Sequence, residues 1–253
     1  MSLIGQPENY SDILKRIFAA TLTAGVLCTF ALAAVSPTAR RFLESWQTET
    51  SIGILDGVKA LYILIPLLIA VMSRVFRLHD RISDFLGIRK RFDLKYILKP
   101  LAQGIGIPVS GPNWNRIEER RKTAMTRTFY RYASFQDPKI DLQLVRAAAD
   151  RWAWFWCTVE PQVVLLVAGL IFMFLDAVVP LLLVLLSIGS LALIGCLLWP
   201  QMQRGAGVQV QEILHREDWK AELRTTFGEL AAPELSAAQQ GAAGDGPAPR
   251  ARP

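Results

Sequence analysis

The sequence predicts an all-α, polytopic membrane protein with four transmembrane helices and a small helical cytoplasmic module. Three observations lead to this fold class. The chain of 253 residues is 52% hydrophobic and yet carries a net charge of +6. Its apolar residues are concentrated in long runs almost without charge, and its Lys and Arg residues are concentrated between those runs. If the apolar residues were spread evenly along the chain, a composition this apolar would make a poor surface for a soluble protein.

The first uncharged run, Ile17 to Val35, has the length of one membrane span. A helix needs about 20 residues to cross about 30 Å of hydrocarbon. The run ends in Ala31-Leu32-Ala33, which also fits a signal-peptide cleavage site. We interpret it as a retained span, because the polar region before it is long and the run has full spanning length. Cleavage would leave three helices.

Three further spans are expected. The uncharged run Ala60 to Ser73 reaches spanning length only from about Ile52, which brings in Asp56 and Lys59, one helical turn apart. The stretch from Val163 to Trp199 is too long for one ordinary span. Asp176 and Pro180 interrupt it, so it is interpreted as two antiparallel helices joined by a tight turn.

The distribution of basic residues predicts the orientation. The connection from Arg74 to Arg151 carries 17 basic and 8 acidic residues, whereas the other two connections have no basic excess. Lys and Arg prefer cytoplasmic loops, so both termini and the long loop are placed in the cytoplasm, in a plasma or bacterial inner membrane. The predicted segments are a cytoplasmic N-terminus (1–16), a first span (17–35), an external loop (36–51), a second span (52–73), a basic helical cytoplasmic loop (74–153), a third span (154–175), an external turn (176–180), a fourth span (181–199) and a cytoplasmic tail (200–253), disordered after about residue 233.

Helical spacing of apolar residues in the loop predicts amphipathic helices. One stripe continues from the second span as far as Gly87, so that span is expected to extend into the cytoplasm without a break. A second stripe, from Leu94 to Leu101, is expected to lie flat on the lipid surface. A further helix is expected to begin at Asp137-Pro138 and to run directly into the third span. The tail offers one more amphipathic helix, over residues 210–227.

Glu160 and Pro161 form the sharpest candidate site. A third helix that began at Pro161 would have only 15 residues before Asp176, or about 22 Å, which is too short for the bilayer. The helix must begin earlier, which places Glu160 inside the membrane, where a carboxyl is costly unless it faces protein or water. Either Glu160 reaches headgroup water or pairs with Arg151, or it is a gate or pathway residue together with Asp56 and Lys59.

A second candidate is the helix that carries His79, Asp80 and Asp84, which brings an imidazole close to two carboxylates. This spacing does not match a metal-binding motif, and a solvated or interface role is the plainer interpretation. The three cysteines fall in separate apolar segments without a Cys-x-x-Cys pattern. We therefore expect no metal, no cofactor and no catalytic residue, and we favour a protein that is not an enzyme.

The basic loop predicts contacts with anionic lipid headgroups, or with a cytoplasmic protein or ligand. The residues singled out for these contacts are Arg89, Lys90, Arg91, Arg120, Arg121 and Lys122. Aromatic residues from Trp114 to Phe135 are interleaved with Arg, a pattern that can bind nucleic acid but equally forms the core between helices. Core packing is the preferred interpretation, and nucleic acid is not expected as a partner.

Small residues recur every four positions on the first helix, at Thr21, Gly25, Thr29 and Ala33. Such a face lets helices approach closely, either within one chain or between the copies of a homo-oligomer.

Three functions remain open from the sequence. The preferred one is a non-enzymatic membrane effector or adaptor, whose cytoplasmic module senses a partner or ligand and couples it to the transmembrane bundle. The second is an ion channel or small transporter with Glu160 in its pathway. The third is a membrane enzyme acting on lipid headgroups, with His79, Asp80 and Asp84 at headgroup level.

Overall fold

The computed structural model describes residues 7–44, 60–173 and 178–232, and the regular elements in these ranges are all helices. The Asp56 and Lys59 pair, the turn with Asp176 and the end of the chain after residue 232 lie outside these ranges. The helices are α1 (Tyr10–Val35), α2 (Pro37–Glu44), α3 (Leu61–Val75), α4 (Leu78–Phe85), α5 (Ile88–Phe92), α6 (Lys99–Gly104), α7 (Pro112–Glu119), α8 (Arg121–Ala124), α9 (Leu142–Phe172), α10 (Val178–His215) and α11 (Glu217–Ala231), with π-helical segments at Asp93–Leu98 and Met125–Phe129.

Within the described ranges, three helices, α1, α9 and α10, are long and apolar enough to cross a membrane. A fourth crossing is obtained if α3 and α4 are counted as one span. At about 1.5 Å per residue, the 31 residues of α9 measure about 46 Å and the 38 residues of α10 about 57 Å. Both lengths exceed the hydrocarbon thickness of about 30 Å, so each helix is longer than one crossing requires.

The membrane-length part of the molecule is a helix bundle in which α1 packs against α3 and α9, and α9 packs along α10. Small residues allow close approach at two of these contacts. A Cβ added at Gly25 would lie 3.0 Å from Cβ of Pro66 on α3. A Cβ added at Gly169 on α9 would lie 2.9 Å from Val184 on α10.

The second predicted span does not continue straight. A break after Val75 bends α4 by 63° from α3, and Arg77 adopts a left-handed conformation with φ of 47° at the break. The expectation of an unbroken helix as far as Gly87 was therefore wrong. A left-handed backbone closes the hydrogen-bonding pattern of one helix and redirects the chain, although it is costly for a residue with a Cβ. The bend turns α4 across the end of the bundle, where it contacts α9.

The loop and the tail pack together as a helical module, here defined as residues 78–140 and 217–231 with the adjoining ends of α9 and α10. Its core includes the fully buried Leu98, Ile117, Ile213 and Phe227. The stripe from Leu94 to Leu101 belongs to this core, so the expectation that it lies on the lipid surface was wrong. An amphipathic pattern specifies an apolar partner and does not distinguish lipid from protein.

The helix that contains the predicted third span, α9, begins later than the Asp137-Pro138 start that the sequence predicts. It starts at Leu142, and the Asp141 side chain caps it by accepting a hydrogen bond of 2.8 Å from the backbone N–H of Gln143. From there α9 runs without interruption past Pro161 to Phe172. On the neighbouring helix, α10 continues past Pro200 to His215 before the chain turns into α11.

Tyr132 and several basic residues of the loop bind α11. The Tyr132 hydroxyl donates a hydrogen bond of 2.6 Å to Glu222, and Arg131 forms an ion pair with the same carboxylate. Arg127 pairs with Glu229, and Arg116 donates to the carbonyl oxygen of Ala231 at 3.0 Å. Trp114, Phe129 and Tyr132 are buried in the module, as expected for core packing of the interleaved aromatic residues.

Candidate functional site

Glu160 is the centre of a buried polar cluster that joins four helices. Only 1% of this residue is exposed, although it lies on the membrane-length helix α9. Its Oε1 accepts a hydrogen bond of 3.1 Å from Thr21 on α1 and another from Ser73 on α3. A carboxyl group in a membrane span is tolerated where protein groups satisfy it, and here two hydroxyls do so.

His79 connects this carboxyl to the surface of the bundle. Its Nδ1 lies 3.7 Å from Oε2 of Glu160, and its Nε2 shares a hydrogen bond of 3.0 Å with the Tyr10 hydroxyl. The ring also packs edge-on to Trp156, with 6.1 Å between the centroids. The bend at Arg77 makes this possible, because it directs α4 back across α9. Tyr10, His79 and Glu160 thus form a row of polar groups from the N-terminal end of α1 into the bundle, with a gap of 3.7 Å between the imidazole and the carboxyl.

The Glu160 carboxyl is not fully satisfied within the described ranges. Its Oε2 has no hydrogen-bond partner among the described residues, and the 3.7 Å to His79 exceeds hydrogen-bonding distance. The next residue, Pro161, is buried inside α9 and has no N–H, so the carbonyl four residues before it lacks its usual helical partner. Unpaired buried polar groups are rare in proteins, and a functional role is one of the reasons for which they are retained.

A cavity of about 330 Å³ lies beside this cluster, between the bundle and the helical module. Polar lining residues from α1, α4 and α5 include Tyr10, His79, Asp80, Ser83 and Arg89. The side chains that α9 and α10 contribute to the lining are apolar or aromatic, apart from Gln209. This volume and lining are typical of small-molecule binding pockets.

The charged groups of the cavity wall are arranged as pairs. Asp80 lies 3.6 Å from Nη1 of Arg89 and 3.6 Å from Nε2 of His79. Asp93 pairs with Arg121, which lies outside the cavity. Burial raises the pKa of Asp93, although the guanidinium of Arg121 opposes the shift. The low-dielectric surroundings thus outweigh the ion pair at this carboxyl.

The other site residues predicted from the sequence, Asp84 and the six basic residues of the loop, differ in exposure and in their contacts. Asp84 is exposed, and so are Arg89, Lys90 and Arg91, whereas Arg121 is largely withdrawn into its pair with Asp93. Arg120 is partly buried and donates to the carbonyl oxygen of Leu230 at 3.5 Å, and Lys122 is exposed. The basic residues singled out from the sequence therefore differ in exposure, with Arg89, Lys90, Arg91 and Lys122 at the surface and Arg120 and Arg121 drawn into contacts within the module.

The small-residue face of α1 makes contacts within the chain. Thr21 bonds to Glu160, and Gly25 lies against Pro66. Thr29 donates to the carbonyl oxygens of Val26 at 2.8 Å and Tyr62 at 3.1 Å, and Ala33 packs in a small apolar cluster with Tyr62.

Sequence reasoning singled out Glu160 and His79 but did not bring them together, and it missed Tyr10, Ser73 and Ser83. Tyr10 and His79 are 69 residues apart, and Ser73 and Glu160 are 87 apart. Serine and threonine facing the interior of a span can bond across helices, so the hydroxyls of α1 and α3 were the one available signal. Among the described residues, no group of three or more His, Cys, Asp or Glu side chains could hold a metal ion.

The comparisons with known proteins give a family and no further relative. No curated protein and no solved structure matches the chain. The family model described as the YmfE protein family matches residues 9–229, which include the bundle, the buried cluster and the helical module. With most of its length matched, this chain belongs to the YmfE protein family.

Proposed function

We propose that this protein is a non-enzymatic membrane adaptor or effector with four crossings, in which a cytoplasmic helical module receives a ligand or partner and passes the change to the transmembrane bundle. The 17 basic residues of the loop support a cytoplasmic position for the module. In this arrangement α3 and α4 form one bent span, and both termini lie in the cytoplasm.

The observation that carries the proposal is the Glu160 cluster, because it mechanically links the parts that would have to communicate. One carboxyl group bonds to α1 and α3 and lies beside α4, which contributes to the cavity wall. The helix that carries Glu160 also lines the cavity, through Trp152 and Trp156, and continues into the module core. A shift of α4 against α9 would therefore change the packing in the membrane, as coupling through packed elements requires.

Hydrogen exchange on the protein in lipid nanodiscs tests this coupling. Glu160→Met removes both carboxyl oxygens at similar side-chain length. We expect it to speed exchange in α4 and in the module as well as in α9 itself. Glu119→Gln, at an exposed position of α7, is the control and should change exchange only locally. A Glu160→Met effect confined to peptides of α9 would refute the proposed coupling.

Thiol labelling tests the orientation. In a variant without native cysteines, Lys122→Cys on the exposed surface of the module should react with an impermeant maleimide only after the cells are permeabilised. Labelling in sealed cells would place the module outside and overturn the proposed cytoplasmic role.

A proton-coupled channel or transporter is the second candidate, and one observation favours it. Tyr10, His79 and Glu160 form a chain of titratable groups that leads from the cavity into the bundle, with a free carboxyl oxygen at its inner end. In proteoliposomes, this candidate requires constitutive proton flux that Glu160→Gln abolishes and Thr29→Val leaves intact. The adaptor requires no such flux in the absence of a ligand.

A further inference from the structure

We infer that the cavity between the bundle and the module binds an uncharged amphipathic molecule, with its hydroxyl or carbonyl group at Ser83 and its apolar body against α9 and α10. This inference deepens the proposed function, since it names the chemical class of the ligand that the module would receive. It rests on an unpaired polar group, on the pairing of the surrounding charges and on the composition of the cavity lining.

The Ser83 hydroxyl identifies the polar end of the site. Ser83 is only 2% exposed, it lines the cavity, and its Oγ has no hydrogen-bond partner within the described part of the chain. Buried hydroxyls normally have a partner, and a hydroxyl can both donate and accept. The Ser83 oxygen itself is closed to solvent, so we infer that the side chain turns towards the cavity, where a ligand hydroxyl or carbonyl oxygen supplies the missing bond. The nearby Tyr10 hydroxyl and His79 are already bonded to each other.

The charges of the cavity argue against an ionic ligand. Asp80 lies beside Arg89, and Asp93 is paired with Arg121. A charged ligand would have to leave water and then compete with an existing partner for either group. Desolvation of an ion is repaid only by a well-formed opposite charge. An uncharged group meets no such cost, which selects neutral ligands over anions and cations.

The lining contributed by α9 and α10 is suited to an apolar chain or ring. Trp152, Trp156 and Met202 face the cavity together with the small Ala149 and Ala206, which leave room between the larger side chains. Aromatic and methionine side chains provide large, polarisable contact surfaces. Near the polar end, Tyr10 and the Arg89 side chain are each almost half exposed, so the site has an opening through which a ligand can enter.

Binding of three matched probes to the full-length protein in nanodiscs tests the inference. The probes share an eight-carbon chain and differ in the head group: 1-octanoylglycerol is neutral, octanoate is an anion and octyltrimethylammonium is a cation. Radiolabelled probes are titrated, and uptake by empty nanodiscs is subtracted. We expect saturable binding of one 1-octanoylglycerol per chain, and at least about tenfold weaker binding of both ions.

Two variants locate the binding. Ser83→Ala should weaken binding of 1-octanoylglycerol by about five- to tenfold, the effect of one lost hydrogen bond. Ser187→Ala, at a buried serine of α10 that does not line the cavity, is the matched control and should bind like the wild type. Ala149→Phe should abolish saturable binding by filling the cavity. Since the larger side chain can also disturb folding, Ser83→Ala remains the deciding variant.

Other outcomes would overturn the inference. Uptake of 1-octanoylglycerol no greater than that of empty nanodiscs would refute the site, and tighter binding of either ion would refute the ligand class. Equal effects of Ser83→Ala and Ser187→Ala would refute the assigned polar end. These results are separable from the proposed coupling, which is measured without ligand. Binding without coupled hydrogen exchange would refute the adaptor function and leave the site standing.

Discussion

The hydrogen bond between Thr21 and Glu160 should contribute measurably to the stability of the bundle, and a double-mutant cycle can isolate it. Thr21→Val removes the donor while keeping a β-branched side chain, and Glu160→Met removes the acceptor. Both residues are almost completely buried, and the bond measures 3.1 Å. The coupling energy between the two substitutions reports the interaction itself, because effects on the rest of the fold cancel.

The structure limits the size of this coupling. Hydrogen bonds between side chains in membrane proteins average about 0.6 kcal/mol and reach about 1.7 kcal/mol. Ser73 donates to the same carboxyl oxygen, so loss of Thr21 leaves the acceptor with a partner. We therefore expect a coupling of about 0.5–1.5 kcal/mol rather than the larger cost of an orphaned buried group.

Reversible unfolding in mixed micelles, titrated with a denaturing detergent, measures the four stabilities of the cycle. The matched control replaces Thr21→Val by Thr29→Val. Thr29 lies two turns farther along α1, about 12 Å away, and donates to backbone carbonyls. Its effect should add to that of Glu160→Met within about 0.3–0.5 kcal/mol. If the coupling energy of Thr21→Val with Glu160→Met does not exceed that of Thr29→Val with Glu160→Met, the placement of Glu160 against α1 is wrong.

Three further predictions concern other contacts. Gly169→Ala should lower the free energy of unfolding by about 1–3 kcal/mol, because the added Cβ would lie 2.9 Å from Val184 and 3.3 Å from the Pro180 carbonyl oxygen. Gly189→Ala is the control and should be neutral or stabilising, because the space around Gly189 is open. Equal effects of the two substitutions in the micelle assay would contradict the close packing of α9 on α10. Burial and the hydrogen bond to Glu222 raise the pKa of Tyr132. The contact between Tyr132 and Glu222 therefore makes its full contribution to stability below the ordinary tyrosine pKa of about 10. That contribution is lost as the pH rises through the higher pKa of Tyr132 in the folded protein. The difference in melting temperature between the wild type and Tyr132→Phe should consequently narrow above about pH 10, and a constant difference would refute the assignment. Asp150→Asn should lower the free energy of unfolding by about 1–3 kcal/mol, because it breaks the largely buried ion pair with Arg16, which measures 2.8 Å. Asp137→Asn, on the exposed surface, is the control and should lower it by less than about 0.5 kcal/mol. Similar losses of stability for the two variants would count against the pair between Arg16 and Asp150.

The membrane-length helices could be predicted from the sequence because a bilayer imposes a length and a composition that few other structures require. Glu160 could be singled out for the same reason, since a carboxyl within a span needs a protein or water partner. The identity of that partner could not be predicted. Thr21, Ser73 and His79 come from three different helices, and their meeting depends on packing and on the bend at Arg77.

Two of the corrected expectations, the unbroken second span and the lipid-facing stripe, have separate physical causes. The left-handed residue at the bend is an arginine, whereas the usual sequence signal for such a turn is glycine. Gly87, which does have positive φ, was the signal that the sequence displayed, so the break was placed there. The stripe from Leu94 to Leu101 was assigned to lipid because the residues that cover it in the module core, such as Ile213, are more than 100 positions away in the chain.

The contact between Tyr132 and Glu222 joins residues 90 positions apart, and it has a consequence for biosynthesis. At about 5–20 residues per second, a ribosome needs roughly 5–20 s to proceed from one residue to the other. During that interval two more hydrophobic segments must be inserted, while the surfaces of Ile117 and Phe129 that will meet α11 remain without their cover. The nascent chain is therefore vulnerable to aggregation and proteolysis until translation of α11 is complete, and truncation before Leu223 should yield a product that cells degrade.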